Sequence, residues 1–584
     1  MVDLKTKPFY LTDEDIEWVN RSIKEMTLDD KIGQLFINLG SSRDETYLKN
    51  VLDSYHIGGA RYNPGTAVEI QTQNRILQTN SKIPLLIAAN TEAGGDGACQ
   101  GGTEVGQAIK IAATNDPHYG YEMGLISGKE AAAVGCNWSF APIMDILQNW
   151  HNPIISSRAF SDDPEKVLAF GLEFLKGMQK SNVACAMKHF PGDGIDERDH
   201  HLSSSVNSLS CEEWDSTFGK VYSGMIEAGI PSVMVGHIMQ PAYQKRFHPD
   251  MEDEELMPAS LSRELLVDLL RGQLGFNGLI VTDASHMVGL TGRMKREDFV
   301  PRTIAAGCDM FLFFNDFEED FRWMKQGYES GVISEKRLND ALQRILGMKA
   351  MLGLHKKDKD KIVPDKDALK IVGCPEHKEV ARQVSEKAVT LVKYKEKGLL
   401  PLSPEKTRRV LLVPQKGAPG LIEMGGQQRP VDILKDELEK EGFQVEVFQS
   451  VRDRLETLPP EEKLKEVLNV YASKSSIESF VSKYDLVIHV ADVSGTMMPF
   501  QRILWGNTKG TADLPWYVHE IPTIFISVCC PFHLADVPQV QTYINCYDKR
   551  ADTLHYLVEK LMGRSQFTGV SPVDAFCGYP DTRL

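Results

Sequence analysis

Residues 278–287 read GLIVTDASHM, a short apolar run that leads directly into a carboxylate at Asp283. A continuous apolar run of this length is typical of a strand buried on both faces, as strands of parallel sheets are. Residues 183–189, VACAMKH, repeat the arrangement and end in Lys188 and His189. Both segments therefore predict interior strands that present polar side chains at their carboxyl ends.

Similar runs recur along the first half of the chain and alternate with amphipathic helical patterns, which is the alternation expected of βα units. The predicted strands lie at residues 32–39, 57–62, 84–90, 136–141, 183–189, 232–237, 278–283 and 308–314. Eight such units in about 320 residues predict a (β/α)8 barrel of the TIM type, in which reactive groups gather where strands end.

The repeating pattern stops near Gly353, where a charged stretch containing Pro364 follows. Further strands are predicted beyond it, again interleaved with helical patterns, at residues 410–413, 445–448, 486–490, 523–528 and 542–546. This second set favours a smaller doubly wound α/β sandwich domain. We therefore expect a barrel at 10–353, a linker at 354–370 and a C-terminal domain at 371–584.

Composition excludes several classes of function. The 584 residues are 42% hydrophobic and 25% charged, and 65 Lys and Arg against 81 Asp and Glu give a net charge of −16. That charge opposes binding to nucleic acid or to an anionic membrane surface. The amino terminus has no apolar signal segment and no stretch is long enough to span a bilayer, so a cytoplasmic protein is expected. The ten cysteines lie scattered, several in apolar runs, which predicts buried thiols and no zinc site.

Polar residues also follow two other predicted strands. Residues 90–95 read NTEAGG after the third strand, and Arg158 follows the fourth. The loop after the fifth strand, residues 190–202, reads FPGDGIDERDHHL. Each feature also has a structural interpretation: Asp283 could cap the next helix, and the loop could be polar surface.

Several of these segments, taken together and in order, resemble glycoside hydrolase family 3, and in particular its β-N-acetylglucosaminidase branch. Residues 188–192, KHFPG, followed by Asp199, His200 and His201 look like the branch signature KHFPGHG with a downstream D-S-H. Further similar segments are VTDA at 281–284, FAP at 140–142 with Asp145, PASLS at 258–262, and 388–402 at the start of the family's C-terminal domain.

The resemblance implies roles for individual residues. Asp283 would be the nucleophile of a retaining glycosidase, and His201, polarised by Asp199, would be the acid/base. An imidazole with an ordinary pKa of about 6.5 can donate and then accept a proton near neutrality. His200 is the main competitor for that role; the motif spacing favours His201.

Sugar-binding roles follow from the same resemblance. Arg158, Lys188 and His189 would bind hydroxyl groups of the sugar. The branch usually carries DQEGGR at the third strand, where this chain has Asn90 and Glu92 and lacks the arginine. The resemblance implies that the aspartate which normally binds the C4 and C6 hydroxyls is Asn90 in this chain, so these contacts are altered, and Glu92 is a candidate replacement. Asp193 also stands in place of the histidine of PGHG.

The predicted function is hydrolysis of terminal β-linked N-acetylglucosamine from small carbohydrates derived from cell walls or chitin, with no metal or organic cofactor. Three alternatives stay open: a family 3 β-glucosidase or β-xylosidase, a β-N-acetylglucosaminide phosphorylase, and an inactive sugar-binding protein. The oligomeric state is not predicted.

Overall fold

The computed structural model describes residues 2–62, 65–417, 428–472, 476–493, 501–505 and 511–584. These form two compact units, one of Met1–Ala108 with Asp116–Ala381 and the other of Ile109–Asn115 with Arg382–Leu584. Every candidate site residue named above lies in the first unit. The division into residues 10–353, 354–370 and 371–584 stays a prediction.

The first unit contains a closed barrel of eight parallel strands, as predicted. Neighbouring strands follow chain order, and the last strand pairs with the first. The strands are β1 (Phe36–Gly40), β2 (Gly59–Tyr62), β3 (Leu86–Ala89), β4 (Trp138–Ser139), β5 (Ala184–Phe190), β6 (Ser232–Val235), β7 (Leu279–Ala284) and β8 (Met310–Leu312).

Helices follow most of these strands, and several begin at a capping box. Thr12, Thr27 and Thr66 each accept a hydrogen bond from the backbone three residues ahead, and the acidic side chain at that position bonds back. The α-helices are Asp13–Glu25, Leu28–Gly33, Glu45–Tyr55, Ala67–Asn80, His118–Ala133, Pro164–Gln179, Cys211–Trp214, Lys220–Glu227, Pro241–Phe247, Val288–Thr291, Arg296–Ala306, Phe317–Glu329 and Glu335–Met351, with π-helical segments at Asp215–Gly219 and Glu264–Gln273.

The predicted start of the first strand is wrong. Residue 32 lies in the helix Leu28–Gly33, which the capping box of Thr27 and Asp30 begins, and the strand starts only at Phe36. The apolar run is shared between a helix and a strand because periodicity does not separate short buried pieces of the two.

The second unit is built on a six-stranded mixed sheet with the order β9-β14-β13-β12-β10-β11. Its strands are β9 (Thr390–Tyr394), β10 (Arg409–Lys416), β11 (Gln444–Val447), β12 (Leu486–Asp492), β13 (Thr523–Ser527) and β14 (Thr542–Asn545). Five correspond to the predicted strands, whereas β9, antiparallel to β14, was not predicted as a strand. The helices are Pro430–Lys440, Val451–Thr457, Pro460–Ala472, Ile477–Val481 and Ala551–Leu561, and Ala108–Ala113 and Pro375–Ala388 have residues in both units.

Apolar side chains lie on both faces of this second sheet, which agrees with the predicted α/β sandwich. Leu412, Ile488 and Ile526 pack with the helices Pro430–Lys440 and Ala551–Leu561, and Leu411, Val413 and Val487 pack with Tyr517 in a separate cluster. In the described part of the chain, no helix has both the length and the apolar character needed to cross a lipid bilayer.

Candidate active site

The carboxyl ends of the barrel strands carry the predicted site residues. All seven residues of β5 are buried, so Lys188 and His189 are held inside the barrel. Strand β7 delivers Asp283, whose side chain keeps 14% of its exposure. The position of catalytic groups at this end of the barrel follows from the parallel arrangement of the strands.

Asp283 lies among histidines. Its Oδ2 atom is 3.9 Å from Nε2 of His189, and its Oδ1 atom accepts a 2.7 Å hydrogen bond from the backbone of Ala284. Burial alone would raise the pKa of Asp283, but the surrounding histidines, His189 foremost, outweigh it and hold the pKa well below its usual range. Asp283 is therefore a carboxylate at neutral pH.

The alternative role of Asp283 as a helix cap does not fit the structure. The next helix, Val288–Thr291, begins at Met287, which makes no side-chain capping bond. The carboxylate of Asp283 bonds only the adjacent amide, whereas a cap would reach two or three residues ahead. The side chain is thus left to face the barrel mouth.

His189 is fixed by a buried carboxylate. Its Nδ1 atom is 2.7 Å from Oδ2 of Asp145, and its backbone N–H donates to Oδ1 of Asp145. Asp145 also accepts a bond from the backbone of Asp193 at the start of the next loop. This network leaves Nε2 as the free edge of the His189 ring, turned toward Asp283.

The loop after β5 brings Asp199 and His201 together as predicted. Oδ1 of Asp199 is 2.7 Å from Nδ1 of His201 and also accepts from its backbone N–H. The Asp199 side chain is 6% exposed and that of His201 is 29% exposed. The buried carboxylate therefore holds one edge of the imidazole ring, and the rest of the ring is partly accessible. Burial alone would lower the pKa of His201, but the bond and charge of Asp199 outweigh it and raise the pKa.

His200 lies beneath this pair. Its side chain is 1% exposed, and its Nε2 atom is 3.7 Å from Oδ2 of Asp193, which is equally buried. Burial lowers the pKa of His200 to about 3 and raises that of Asp193 to about 8. His200 is therefore an uncharged, inaccessible ring at neutral pH.

Glu92, Arg158 and Lys188 form a second cluster at the mouth. Nε of Arg158 is 3.0 Å from one carboxylate oxygen of Glu92 and Nη2 is 3.0 Å from the other, a bidentate pair, and Nζ of Lys188 bonds the same carboxylate. Burial alone would raise the pKa of Glu92, but the two cations outweigh it and lower the pKa strongly. These side chains form a rigid, charged surface suited to hydroxyl groups.

Asn90 follows β3 and is half-buried beside this cluster. The structure adds three residues that the sequence did not assign to the site: Asp145, His237 and Arg61. His237 follows β6, and its Nε2 atom is 3.1 Å from the carbonyl of Ala284. Asp145 was identified only as a family landmark, and Arg61 lies inside β2, where strand alternation alone could have indicated its direction.

Among the described residues, one group of three side chains has metal-ligating atoms within 4.8 Å of one another, namely Asp199, His200 and His201. The hydrogen bond between Asp199 and His201 already uses one ligand atom of each. The group is arranged for proton transfer, and we assign no metal to it.

The arrangement combines an ionised carboxylate, a histidine with a raised pKa and a cluster of donors at the carboxyl ends of the barrel strands. A carboxylate can attack or stabilise an electron-poor carbon, and a supported imidazole can protonate an oxygen that leaves it. The donor cluster can orient a polyhydroxylated ligand.

Comparison with known proteins agrees with this chemistry. Residues 27–348 match the glycosyl hydrolase family 3 N terminal domain. The full chain is 40% identical over 585 residues to a "Beta-N-acetylglucosaminidase/beta-glucosidase" of Cellulomonas fimi, covering 100% of both. It is 27% identical over 398 residues to "Beta-hexosaminidase A" of Pseudoalteromonas piscicida, covering 63% of this chain and 64% of that protein.

Solved structures show the same architecture. A structure of "Beta-glucoside phosphorylase BglX" superposes with a TM-score of 0.89 at 39% identity, covering 99% of each chain. A family 3 β-N-acetylglucosaminidase of Paenibacillus sp. superposes with a TM-score of 0.75 at 24% identity, covering 95% of this chain and 100% of that one, which shows the fold. This chain therefore belongs to glycoside hydrolase family 3 and is a glycosidase that acts on β-linked sugars.

Proposed function

We propose that this enzyme is a retaining β-N-acetylglucosaminidase in which Asp283 forms a covalent glycosyl-enzyme and the Asp199–His201 pair supplies the acid and base. The observation that carries the proposal is the 2.7 Å contact between Asp199 and His201 on a loop above the ionised Asp283. A carboxylate and a proton donor at one glycosidic bond are what a double displacement requires.

In the first step, an oxygen of Asp283 attacks C1 of the bound sugar while the bond from C1 to the glycosidic oxygen breaks. Nε2–H of His201 gives its proton to that departing oxygen. The raised pKa of His201 keeps the ring protonated further toward neutral pH. Lys188, Arg158 and His189 hold the sugar hydroxyl groups in place.

In the second step, a water molecule takes the place of the leaving group. Nε2 of His201, now neutral, accepts a proton from the water as its oxygen bonds to C1, and the ester bond to Asp283 breaks. The enzyme returns with Asp283 ionised and His201 protonated, and the sugar keeps its β configuration after two inversions.

Burial separates His201 from its neighbour for this role. The His200 side chain is 1% exposed and faces Asp193, whereas that of His201 is 29% exposed. A proton donor must reach the leaving oxygen within hydrogen-bond distance. His201 is the ring that meets this condition.

The substrate is proposed from the relatives and from the dyad. The Cellulomonas fimi relative is named for both N-acetylglucosaminides and glucosides, so we propose β-linked N-acetylglucosamine as the preferred glycone and glucose as a second one. All ten cysteines are free thiols, which suits a cytosolic role in the recycling of wall or chitin fragments.

The test is an assay of 4-nitrophenyl β-N-acetylglucosaminide and the matching β-glucoside with wild type and Asp283→Ala in phosphate-free buffer. We expect the variant to lose activity on both substrates and the first product seen by NMR to be the β anomer. Equal rates for wild type and variant would remove Asp283 as nucleophile, and an α product would remove the double displacement.

A second candidate function is phosphorolysis, in which phosphate replaces water in the second step. One observation favours it, namely the 39% identity to a β-glucoside phosphorylase over 99% of both chains.

Turnover with and without phosphate separates the two functions. A hydrolase releases free sugar at a rate that phosphate does not raise. A phosphorylase releases a sugar 1-phosphate, detectable by ³¹P NMR, and slows when phosphate is removed.

A further inference from the structure

Arg61 is directed into the barrel by the alternation of β2. Its neighbours Ala60 and Tyr62 both belong to the apolar cluster that β2 forms with the helices Glu45–Tyr55 and Ala67–Asn80. Successive side chains of a strand point to opposite faces, so the Arg61 side chain enters the barrel interior. Arg61 pairs in register with Ala88 of β3, two residues before Asn90.

Asn90 faces the same interior. Ile87 and Ala89 pack in the helix-facing cluster, which places Leu86, Ala88 and the following Asn90 on the other side of β3. Arg61 and Asn90 are both half-buried, and neither side chain makes a hydrogen bond or an ion pair with any described residue. Two polar side chains without a partner among the described residues thus point into the interior from the neighbouring segments of β2 and β3.

The nearby carboxylates do not neutralise Arg61. Glu92 is already bound by both Arg158 and Lys188, and Asp283 lies by the histidines. The negative charges of Glu92 and Asp283 act on Arg61 without a direct contact. Burial lowers the pKa of the Arg61 guanidinium. A guanidinium removed from water without a partner costs free energy that a ligand would recover.

Strand order indicates which part of a ligand meets Arg61. Strand β2 lies beside β3 and three places from β5, whose loop carries the dyad. The dyad marks the leaving-group side of the bound sugar, so β2 faces the opposite end.

We propose that Arg61, with Asn90, binds the C4 and C6 hydroxyl groups of the sugar and so determines which hexoses the enzyme accepts. The inference rests on the proposed glycosidase function and extends it to residues that set specificity. Arg61 supplies two parallel N–H donors, and the Asn90 amide supplies one acceptor and one donor.

The test is a coupling experiment with three 4-nitrophenyl β-glycosides: the parent N-acetylglucosaminide, its 4-deoxy analogue and its 6-deoxy analogue. Wild type, Arg61→Met and Arg61→Lys are compared with Arg263→Met, which removes a solvent-exposed arginine paired with Asp268 on the surface. All assays use phosphate-free buffer, and thermal unfolding verifies that each variant is folded.

We expect Arg61→Met to lower kcat/KM for the parent about 10- to 100-fold, the range for one charge-assisted hydrogen bond, with Arg61→Lys in between and Arg263→Met unchanged. With the deoxy analogue that lacks the hydroxyl group bound by Arg61, the variant and wild type should differ less than threefold.

An equal loss on the parent and on both analogues, in a folded variant, would overturn the proposal, as would no loss at all. These outcomes differ from failure of the proposed function, in which wild type itself turns over neither N-acetylglucosaminide nor glucoside. In that case, calorimetry measures the affinity of wild type and Arg61→Met for N-acetylglucosamine and for its 4-deoxy and 6-deoxy forms. The proposal then predicts a smaller difference between the two proteins for the form that lacks the bound hydroxyl group.

Discussion

Replacement of Asp199 by Asn tests the proposed acid/base pair with little change in shape. The amide can still contact His201, but the negative charge that stabilises the imidazolium is removed. Without it, burial is opposed only by the smaller effect of the Asp283 charge, so the pKa of His201 falls. The acid form of the ring is then lost at a lower pH than in the wild type.

The size of the effect follows from the contact. The Asp199–His201 distance is 2.7 Å, a charge-assisted hydrogen bond of the kind worth about 1.5–3 kcal/mol. Because the His201 side chain is 29% exposed, solvent screening places the value near 1.5 kcal/mol, about a tenfold effect on rate. The loss should grow as the pH rises, since the variant imidazole deprotonates first.

The assay is kcat/KM from pH 5 to 9 for two N-acetylglucosaminides, one with a 4-methoxyphenol and one with a 2,4-dinitrophenol leaving group. Only the first needs protonation, so we expect Asp199→Asn to change it little at low pH, where the ring is protonated in both proteins, and to slow it about tenfold at high pH, with the second changed less than threefold. Glu197→Gln is the matched control, because Glu197 is exposed on the same loop and its loss also removes one negative charge.

Two results would refute the pairing. An equal loss for both leaving groups would mean that Asp199 does not act through the proton donor. An alkaline limb that stays at the wild-type pH would mean that Asp199 does not support the charge of His201.

Three further predictions concern the supporting charges. Glu92→Gln should lower kcat/KM about 100-fold, because it leaves Arg158 and Lys188 without their shared carboxylate. Steady-state kinetics measures this loss, with Glu197→Gln as the control. A loss of less than threefold would contradict the prediction. Because the pKa of Asp283 is held well below its usual range, kcat/KM for the dinitrophenyl glycoside should stay constant as the pH falls from 6 to about 4.5. A sigmoidal fall of kcat/KM in this range, with the protein still folded, would contradict an ionised nucleophile. Asp309→Ala should lower the free energy of unfolding by about 3–5 kcal/mol, because Arg271, Arg337 and Arg344 all face this fully buried carboxylate. Urea unfolding at pH 7 measures the change. The control is Asp268→Ala, which breaks a surface ion pair and should cost under about 1 kcal/mol.

The barrel was predictable because its strands are short, continuous apolar runs that only a doubly covered sheet accommodates. Strand ends were less certain where a helix and a strand share one apolar stretch, as at residues 28–40. Strand β9 was not predicted because three of its five residues are only partly buried, and its mixed pattern lacks the apolar signal of an interior strand.

The site was predictable where a polar residue follows a strand directly, as Lys188, His189 and Asp283 do. The sequence could not show that Glu92 is shared by Arg158 and Lys188, because that contact joins positions 66 and 96 residues apart. Periodicity also could not separate His200 from His201, and only the spacing of the family motif favoured His201. Adjacent loop residues differ in how the backbone turns them, one into the core and one toward solvent.

The charged groups at the two ends of the candidate site are of different kinds. The difference affects which acceptor, water or phosphate, can react in the proposed second step. In the proposed mechanism, Arg61, Arg158 and Lys188 carry the positive charges on the glycone side, whereas histidines surround Asp283. In its first step Asp283 becomes an ester and His201 gives up its proton, so the nucleophile side loses one negative and one positive charge together. Its net charge is then unchanged, and the base is neutral. A carboxylate base at the position of His201 would instead be an anion at that moment and would repel an incoming anion. We therefore propose that the Asp199–His201 pair keeps the covalent intermediate open to water and phosphate alike, and that the choice between hydrolysis and phosphorolysis depends on the contacts that the acceptor itself makes.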